Sequence, residues 1–117
     1  MPNTPHLRIL IVSLNFAPEE TATGMYTGEM AKWLAKRGHH VDAIAGLPHY
    51  PEWKVRPDYK GKGLRKEALD GVTVFRTPHT VPSGSGVSAK QRILMELSFS
   101  FCSLYWWARI LFSRKRY

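Results

Sequence analysis

LRILIVSLNFAPEETATGMYTGEMAKWLAKRGHHVDAIAG, residues 7–46, decides the fold. Leu7 to Leu14 is a nearly unbroken apolar run, too short for a membrane span and β-branched enough for a strand buried on both faces. A loop over Asn15–Thr23, rich in Pro, Glu and Thr, precedes a helical pattern from about Met25 to Arg37. Gly38 stands where a left-handed helix cap is needed, with Lys36 and Arg37 facing the negative end of the dipole. Val41 to Ala45 resumes strand character. Two strands joined through a helix by short connections predict a parallel, right-handed βαβ crossover. Ligands on such sheets sit beyond the carboxyl ends of the strands, which directs attention to the Asn15–Thr23 loop.

Within the helix, Tyr26, Met30, Trp33, Leu34 and Arg37 fall on one stripe, with Thr27, Glu29, Lys32 and Lys36 away from it. Thr23 is the N-cap candidate. Gly28 costs about 1 kcal/mol against alanine in a helix interior, so close packing, close approach of a ligand and simple drift all stand open. Beyond Gly46 regularity stops. Residues 47–66 interleave Pro48, Pro51 and Pro57 with His49, Tyr50, Trp53 and Tyr59 among six Lys and Arg residues; a loop this long is usually functional or mobile. Asp70-Gly71 is a hairpin signal pairing a strand near 65–69 with one at 72–76. A last helix runs from about Ser88, its N-cap candidate, to Phe112. Its apolar segment from Ile93 could cross a bilayer, but Glu96, Arg109 and several serines favour a buried or surface-lying helix.

The chain has 117 residues, room for one domain, and Lys plus Arg exceed Asp plus Glu by 17 to 9. That balance points to anionic company: nucleic acid, phosphate-bearing ligands or acidic lipid. The single cysteine, Cys102, excludes an internal disulfide and fits a reducing compartment. The opening residues MPNTPHLR lack the order of a secretory signal.

A glycine opening a helix after a buried strand lets backbone amides and the positive dipole end meet an anion, typically a diphosphate. Gly24 is the glycine so placed here, and as a motif it is weak. The spacing is neither G-x-G-x-x-G nor a P-loop, and no carboxylate ends the second strand, so NAD and ATP readings lose ground. Glu19 and Glu20, adjacent in a loop, are expected to be solvated. His39 and His40 finish a turn. His49 and His79 each lie beside a proline after a strand, on the ligand side. No His/Cys cluster has metal spacing, and no nucleophile–base set can be assembled.

The order strand, Pro-Glu loop, Gly-led helix, Ala-x-x-Leu-x-x-x-Gly-His, strand, Pro-x-Tyr-Pro and Gly-Val-x-Val-x-Arg-x-Pro resembles the amino-terminal half of family 4 glycosyltransferases. The likeness is greatest to the type that builds bacterial exopolysaccharides such as colanic acid, over roughly residues 7–105. The resemblance implies an α/β fold with a Rossmann-like parallel sheet and flanking helices, an incomplete amino-terminal domain of the GT-B architecture. Residues 1–117 would be the acceptor-side portion, with the carboxyl-terminal nucleotide-sugar domain absent and the chain alone inactive. It further implies a nucleotide-sugar donor, a glycan or lipid-linked acceptor, no metal or resident cofactor, and a cytoplasmic location; the basic loop over residues 54–66 and the aromatic helix with its Arg-Lys-Arg end suit the anionic inner face of the plasma membrane. Gly24, with Met25, Tyr26 and Thr23, matches the donor-diphosphate turn; His49, Tyr50, Trp53, Arg76 and His79 match the acceptor side. Ala22 stands where the family often has a further glycine. The alternatives are a small basic module for nucleic acid or another polyanion, with Tyr50, Trp53 and Tyr59 stacking on bases, or an inactive remnant.

Overall fold

The computed structural model of the chain describes residues 5–19, 22–49, 52–59, 64–82, 88–113 and 117. Its elements are β1 (Arg8–Ser13), α1 (Ala22–Lys36), β2 (His40–Ala45), β3 (Arg65–Leu69), β4 (Val72–Arg76) and α2 (Ala89–Phe112). They form one open sheet in the order β1-β2-β4-β3. β1 pairs parallel with β2 and β2 parallel with β4, while β3 runs antiparallel along β4. This is the α/β, partly built Rossmann-like arrangement that the strand–helix–strand pattern requires.

Alternation along the strands divides the core in two. Ile11, Val41, Ala43, Val72 and Val74 meet Ala31, Leu34 and Ala35 of α1 on one face. Leu10, Ile44 and Phe75 meet Met95, Phe99, Trp106 and Ile110 of α2 on the other. β2, with a strand on each side, is buried from Val41 onward. β1 was expected to be the doubly buried strand. It has one described neighbour and lies at an edge, which leaves Val12 47% exposed.

The helix ends follow local chemistry. Gly38 has φ +92°, its N–H donates to Ala35 O (3.0 Å) and the His39 N–H to Leu34 O (3.3 Å), the two bonds of a Schellman cap. Ser88 and Gln91 close a reciprocal capping box on α2. Asp70 (φ 51°) and Gly71 (φ 83°) supply the two positive φ angles of the tight β3–β4 turn. Thr23 lies inside the first turn of α1 rather than capping it, since the helix starts at Ala22.

The stripe read along α1 is split: Leu34 packs on the sheet, and the rest of it does not. Tyr26, Met30 and Trp33 are exposed, and Arg37 lies 4.2 Å above the Trp33 ring. The face on the sheet carries small residues instead: a Cβ on Gly28 would stand 2.8 Å from Ala17 Cβ, and Ala31 is fully buried. Close helix–sheet approach selects small side chains, and the bulky ones are left outside. This settles the open question at Gly28 in favour of packing.

Candidate functional site at the carboxyl ends of the strands

The ladders run slightly past the strands, with Gly46 N donating to Leu14 O (3.1 Å) and Thr77 N to Ala45 O (2.8 Å). The segments leaving β1, β2 and β4 therefore emerge side by side, at the edge where parallel sheets bind ligands. Gly46 is needed there: a Cβ would lie 2.7 Å from Leu14 O and 2.6 Å from His79 Nε2.

Glu19, expected in solvent, is 3% exposed and organises the site. Its Oε1 accepts from Asn15 Nδ2 (3.0 Å) and its Oε2 from the His49 backbone N–H (2.8 Å), with His49 Nδ1 at 3.6 Å. The carboxylate also occupies the space beside Gly24, where a Cβ would stand 2.4 Å from Oε1. The glycine leaves room on its side-chain side for the protein's own carboxylate.

His49 is 1% exposed, and its Nδ1 donates to Leu47 O at 2.8 Å. A carbonyl can only accept, so Nδ1 carries a proton, and in the neutral ring Nε2 is an acceptor. Nε2 is buried with no hydrogen-bond partner among the described residues. Buried polar nitrogens are nearly always paired, so an orphan in a residue that lines a pocket points to a ligand atom or a water that the pocket could supply. The pocket is a cleft of about 190 Å³ lined by Asn15, Thr23, His49, Trp53, Arg92, Met95 and Glu96. Ligand pockets usually span ~300–1,000 Å³, so this cleft accommodates one phosphate- or sugar-sized group. Trp53 sits in the left-handed region at φ 55°, costly for a bulky side chain. Its ring lies 5.8 Å from His49, with the Arg92 guanidinium 5.7 Å above it.

The other residues singled out in the sequence have different surroundings. His79 is locked, Nε2 accepting from Leu47 N (3.0 Å) and Nδ1 donating to Thr80 O (2.9 Å). Burial lowers its pKa below the ordinary value, and the neighbouring His49 acts the same way; the bond to Thr80 O and the charge of Glu19 oppose the shift. Arg76 is fully buried: Nε and Nη2 donate to Glu67 Oε1 (3.1 and 3.0 Å), Nη1 to Gly46 O (2.9 Å), and Nη2 also to Ala17 O. Its guanidinium ties together the segments that follow β1 and β2. Of the diphosphate candidates only Thr23 lines the cleft, since Met25 borders a separate cavity across α1 and Tyr26 points to solvent. Tyr50 lies outside the described residues. Tyr59, offered for base stacking, is buried and donates its hydroxyl to Glu67 (2.7 Å). Among the described residues no group of three His, Cys, Asp or Glu side chains could hold a metal.

Sequence reading missed Asn15, Glu19 and Arg92. Asn15 and Glu19, four apart in the loop after an apolar strand, were legible as a hydrogen-bonding pair. Arg92 carried no signal, because it reaches the cleft only when α2 packs across the sheet.

Known proteins agree with the resemblance in the sequence. No family model and no solved structure matches the chain. A protein of Escherichia coli (strain K12) named as a colanic acid biosynthesis glycosyl transferase, WcaI, is 38% identical over 99 residues, 85% of this chain. The match covers 24% of that protein, so the chain spans about a quarter of its relative's length. The likeness to exopolysaccharide glycosyltransferases read from the motifs is thereby borne out: over most of its own length, this chain is similar to part of a protein named for glycosyl transfer in colanic acid biosynthesis.

Proposed function

We propose that the chain forms the acceptor-side part of the amino-terminal domain of a GT-B glycosyltransferase. In the complete enzyme, a sugar passes from a nucleotide-sugar donor to a lipid-linked glycan at the cytoplasmic face of the plasma membrane. The observation that carries this reading is that His49, whose buried Nε2 has no partner among the described residues, lines a cleft beyond the parallel strands. Similarity to a glycosyl transferase over 99 residues supports it. In this reading Nε2 accepts from a sugar hydroxyl, Trp53 covers the sugar's apolar face, and Arg92 with the Thr23 hydroxyl meets a phosphate at the positive end of α1. Gly24, Met25 and Tyr26 contribute through the backbone of that turn. Arg76 and His79 act by holding the acceptor-side segments in register. The nucleotide sugar is a substrate, and the reading requires no resident cofactor. A second Rossmann-like domain would complete the donor site, so the chain alone is expected to transfer no sugar.

The test is binding rather than turnover. With half a site, UDP-glucose should bind saturably with a Kd of roughly 1 mM, about −4 kcal/mol. The Thr23→Ala/Arg92→Ala variant should bind at least about tenfold more weakly, each removed charge-assisted contact contributing on the order of 1–3 kcal/mol. An affinity unchanged in the variant, or no saturable binding, would overturn the assignment.

A further inference from the structure

The outer face of α1 carries large side chains that the fold does not use. Gly28, Ala31, Leu34 and Ala35 make the contact with the sheet and with Ala17. Tyr26, Met30 and Trp33 are 69%, 48% and 54% exposed. Single apolar residues on a surface need no explanation, but these three are aligned. Residues at i, i+4 and i+7 stand one above another on a helix, and Arg37 at i+11 continues the line. The ridge from Tyr26 to Arg37 is about 16 Å long, with its two aromatic residues about 10 Å apart along the axis.

The chemistry of this ridge selects its partner. Tyr and Trp offer a flat apolar face beside a polar edge, which suits a ligand that is itself part apolar and part hydroxylated. A β-linked pyranose has that character, its axial C–H groups forming a flat patch between equatorial hydroxyls. In an extended β-linked glycan every second ring turns the same face outward, a repeat close to the spacing of Tyr26 and Trp33. Charge then sets the sign. The Arg37 guanidinium lies 4.2 Å above the Trp33 ring. Among the described residues no carboxylate pairs with Arg37 or with exposed Lys36. Glu29 is the sole acid of α1, against Lys32, Lys36 and the adjoining Arg37. The ridge also begins at the cleft, because Thr23, one turn before Tyr26 on the same side of the helix, lines it.

We infer that the outer ridge of α1 binds an extended anionic glycan, with sugar rings stacked on Tyr26 and Trp33 and a sugar carboxylate on Arg37. A chain whose end lies in the cleft is thereby carried along the helix, away from the sheet's carboxyl edge. The inference rests on the glycosyltransferase reading for why a glycan is present; binding to the ridge itself needs neither donor nor transfer.

The experiment titrates the full chain, with nitrogen-labelled tryptophan, against a hyaluronan octasaccharide as the acidic glycan and cellohexaose as the neutral one. The Trp33 indole N–H resonance should shift saturably with hyaluronan and less with cellohexaose. The Trp106 indole, buried and donating to Arg76 O, should stay still. By calorimetry, Met30→Ala/Trp33→Ala should bind hyaluronan at least about tenfold more weakly, with the urea midpoint of the parent because neither side chain is in the core. Arg37→Gln should weaken hyaluronan binding about threefold and remove its preference over cellohexaose. An unmoved Trp33 indole, shifts confined to Trp53, equal affinity for the two oligosaccharides, or a Met30→Ala/Trp33→Ala variant that binds as the parent does would overturn it. So would a dimer, or sedimentation with phosphatidylglycerol vesicles, that depends on Trp33 while the oligosaccharides do not bind. UDP-glucose affinity should be the same in Met30→Ala/Trp33→Ala as in the parent, so failure of the ridge and failure of the cleft are read separately.

Discussion

Replacing Arg76 with methionine tests whether that arginine holds the fold or waits for a ligand. Methionine fills much of the same volume, so the change removes charge and donors more than packing. It withdraws four hydrogen bonds, two to Glu67 Oε1 and one each to Gly46 O and Ala17 O, from a side chain with no exposure. Breaking one side of a buried ion pair typically costs 3–5 kcal/mol. Glu67 retains Arg65 and the Tyr59 hydroxyl and is 15% exposed, which places the loss near the lower end, about 3 kcal/mol. Domains of this length have a total stability of about 5–15 kcal/mol, so the variant should stay folded with much of its margin gone. Urea unfolding followed by far-UV circular dichroism should show the lower midpoint, and Tm should fall by roughly 10–20 °C. The double variant Arg76→Met/Glu67→Gln should recover at least about 1 kcal/mol, because no buried carboxylate is then left underpaired. A single variant within about 0.5 kcal/mol of the parent, or no recovery in the double, would refute the tie and return Arg76 to the list of residues free to bind a ligand.

Gly24→Ala should destabilise by about 1–3 kcal/mol and abolish UDP-glucose binding, since the methyl meets Glu19 Oε1 and forces the carboxylate off Asn15 and His49; urea midpoints and a binding titration check both, and intact binding would count against the site. The lowered pKa of His79 makes stability pH-dependent with a definite sign. Below the unfolded value of about 6.5 the unfolded chain takes up that proton first, so stability is full above pH 6.5 and declines as pH falls towards the folded pKa. Urea midpoints between pH 5 and 8 should show the decline, and His79→Gln should flatten it; a slope unchanged in that variant would remove His79 as its source. Glu67 acts in a lower window. Burial raises its pKa, but the donors Tyr59, Arg65 and Arg76 outweigh that and leave it below 4.5, so its contribution is present above that pH and lost on further acidification.

Features carried by neighbouring residues were legible in the sequence. Asp70-Gly71 located the hairpin because two consecutive positive φ angles leave few residue choices. Ser88 and Gly38 marked helix ends because caps satisfy backbone groups from within a few positions. Features made by distant packing were not legible. The stripe of Tyr26, Met30 and Trp33 satisfies any test of amphipathicity, yet the sheet accepts the small-residue face because Ala17 crosses it at Gly28. Glu19 reads as a loop carboxylate until the segment after β2 brings the His49 amide to it across thirty positions. Arg76 showed the same limit in reverse: the resemblance implies an acceptor contact for it, and the structure surrounds it with carbonyls and a carboxylate.

The central claim is that His49 Nε2 waits for a ligand atom. Side-chain nitrogen NMR of the histidine-labelled chain, titrated with UDP-glucose and separately with a soluble acceptor oligosaccharide, measures it directly. The account predicts a saturable shift of the His49 Nε2 resonance with one of them, while Nδ1 stays bonded to Leu47 and the rings of His39 and His40 do not respond. An unmoved Nε2 under both ligands, or shifts confined to His39 and His40, would contradict it.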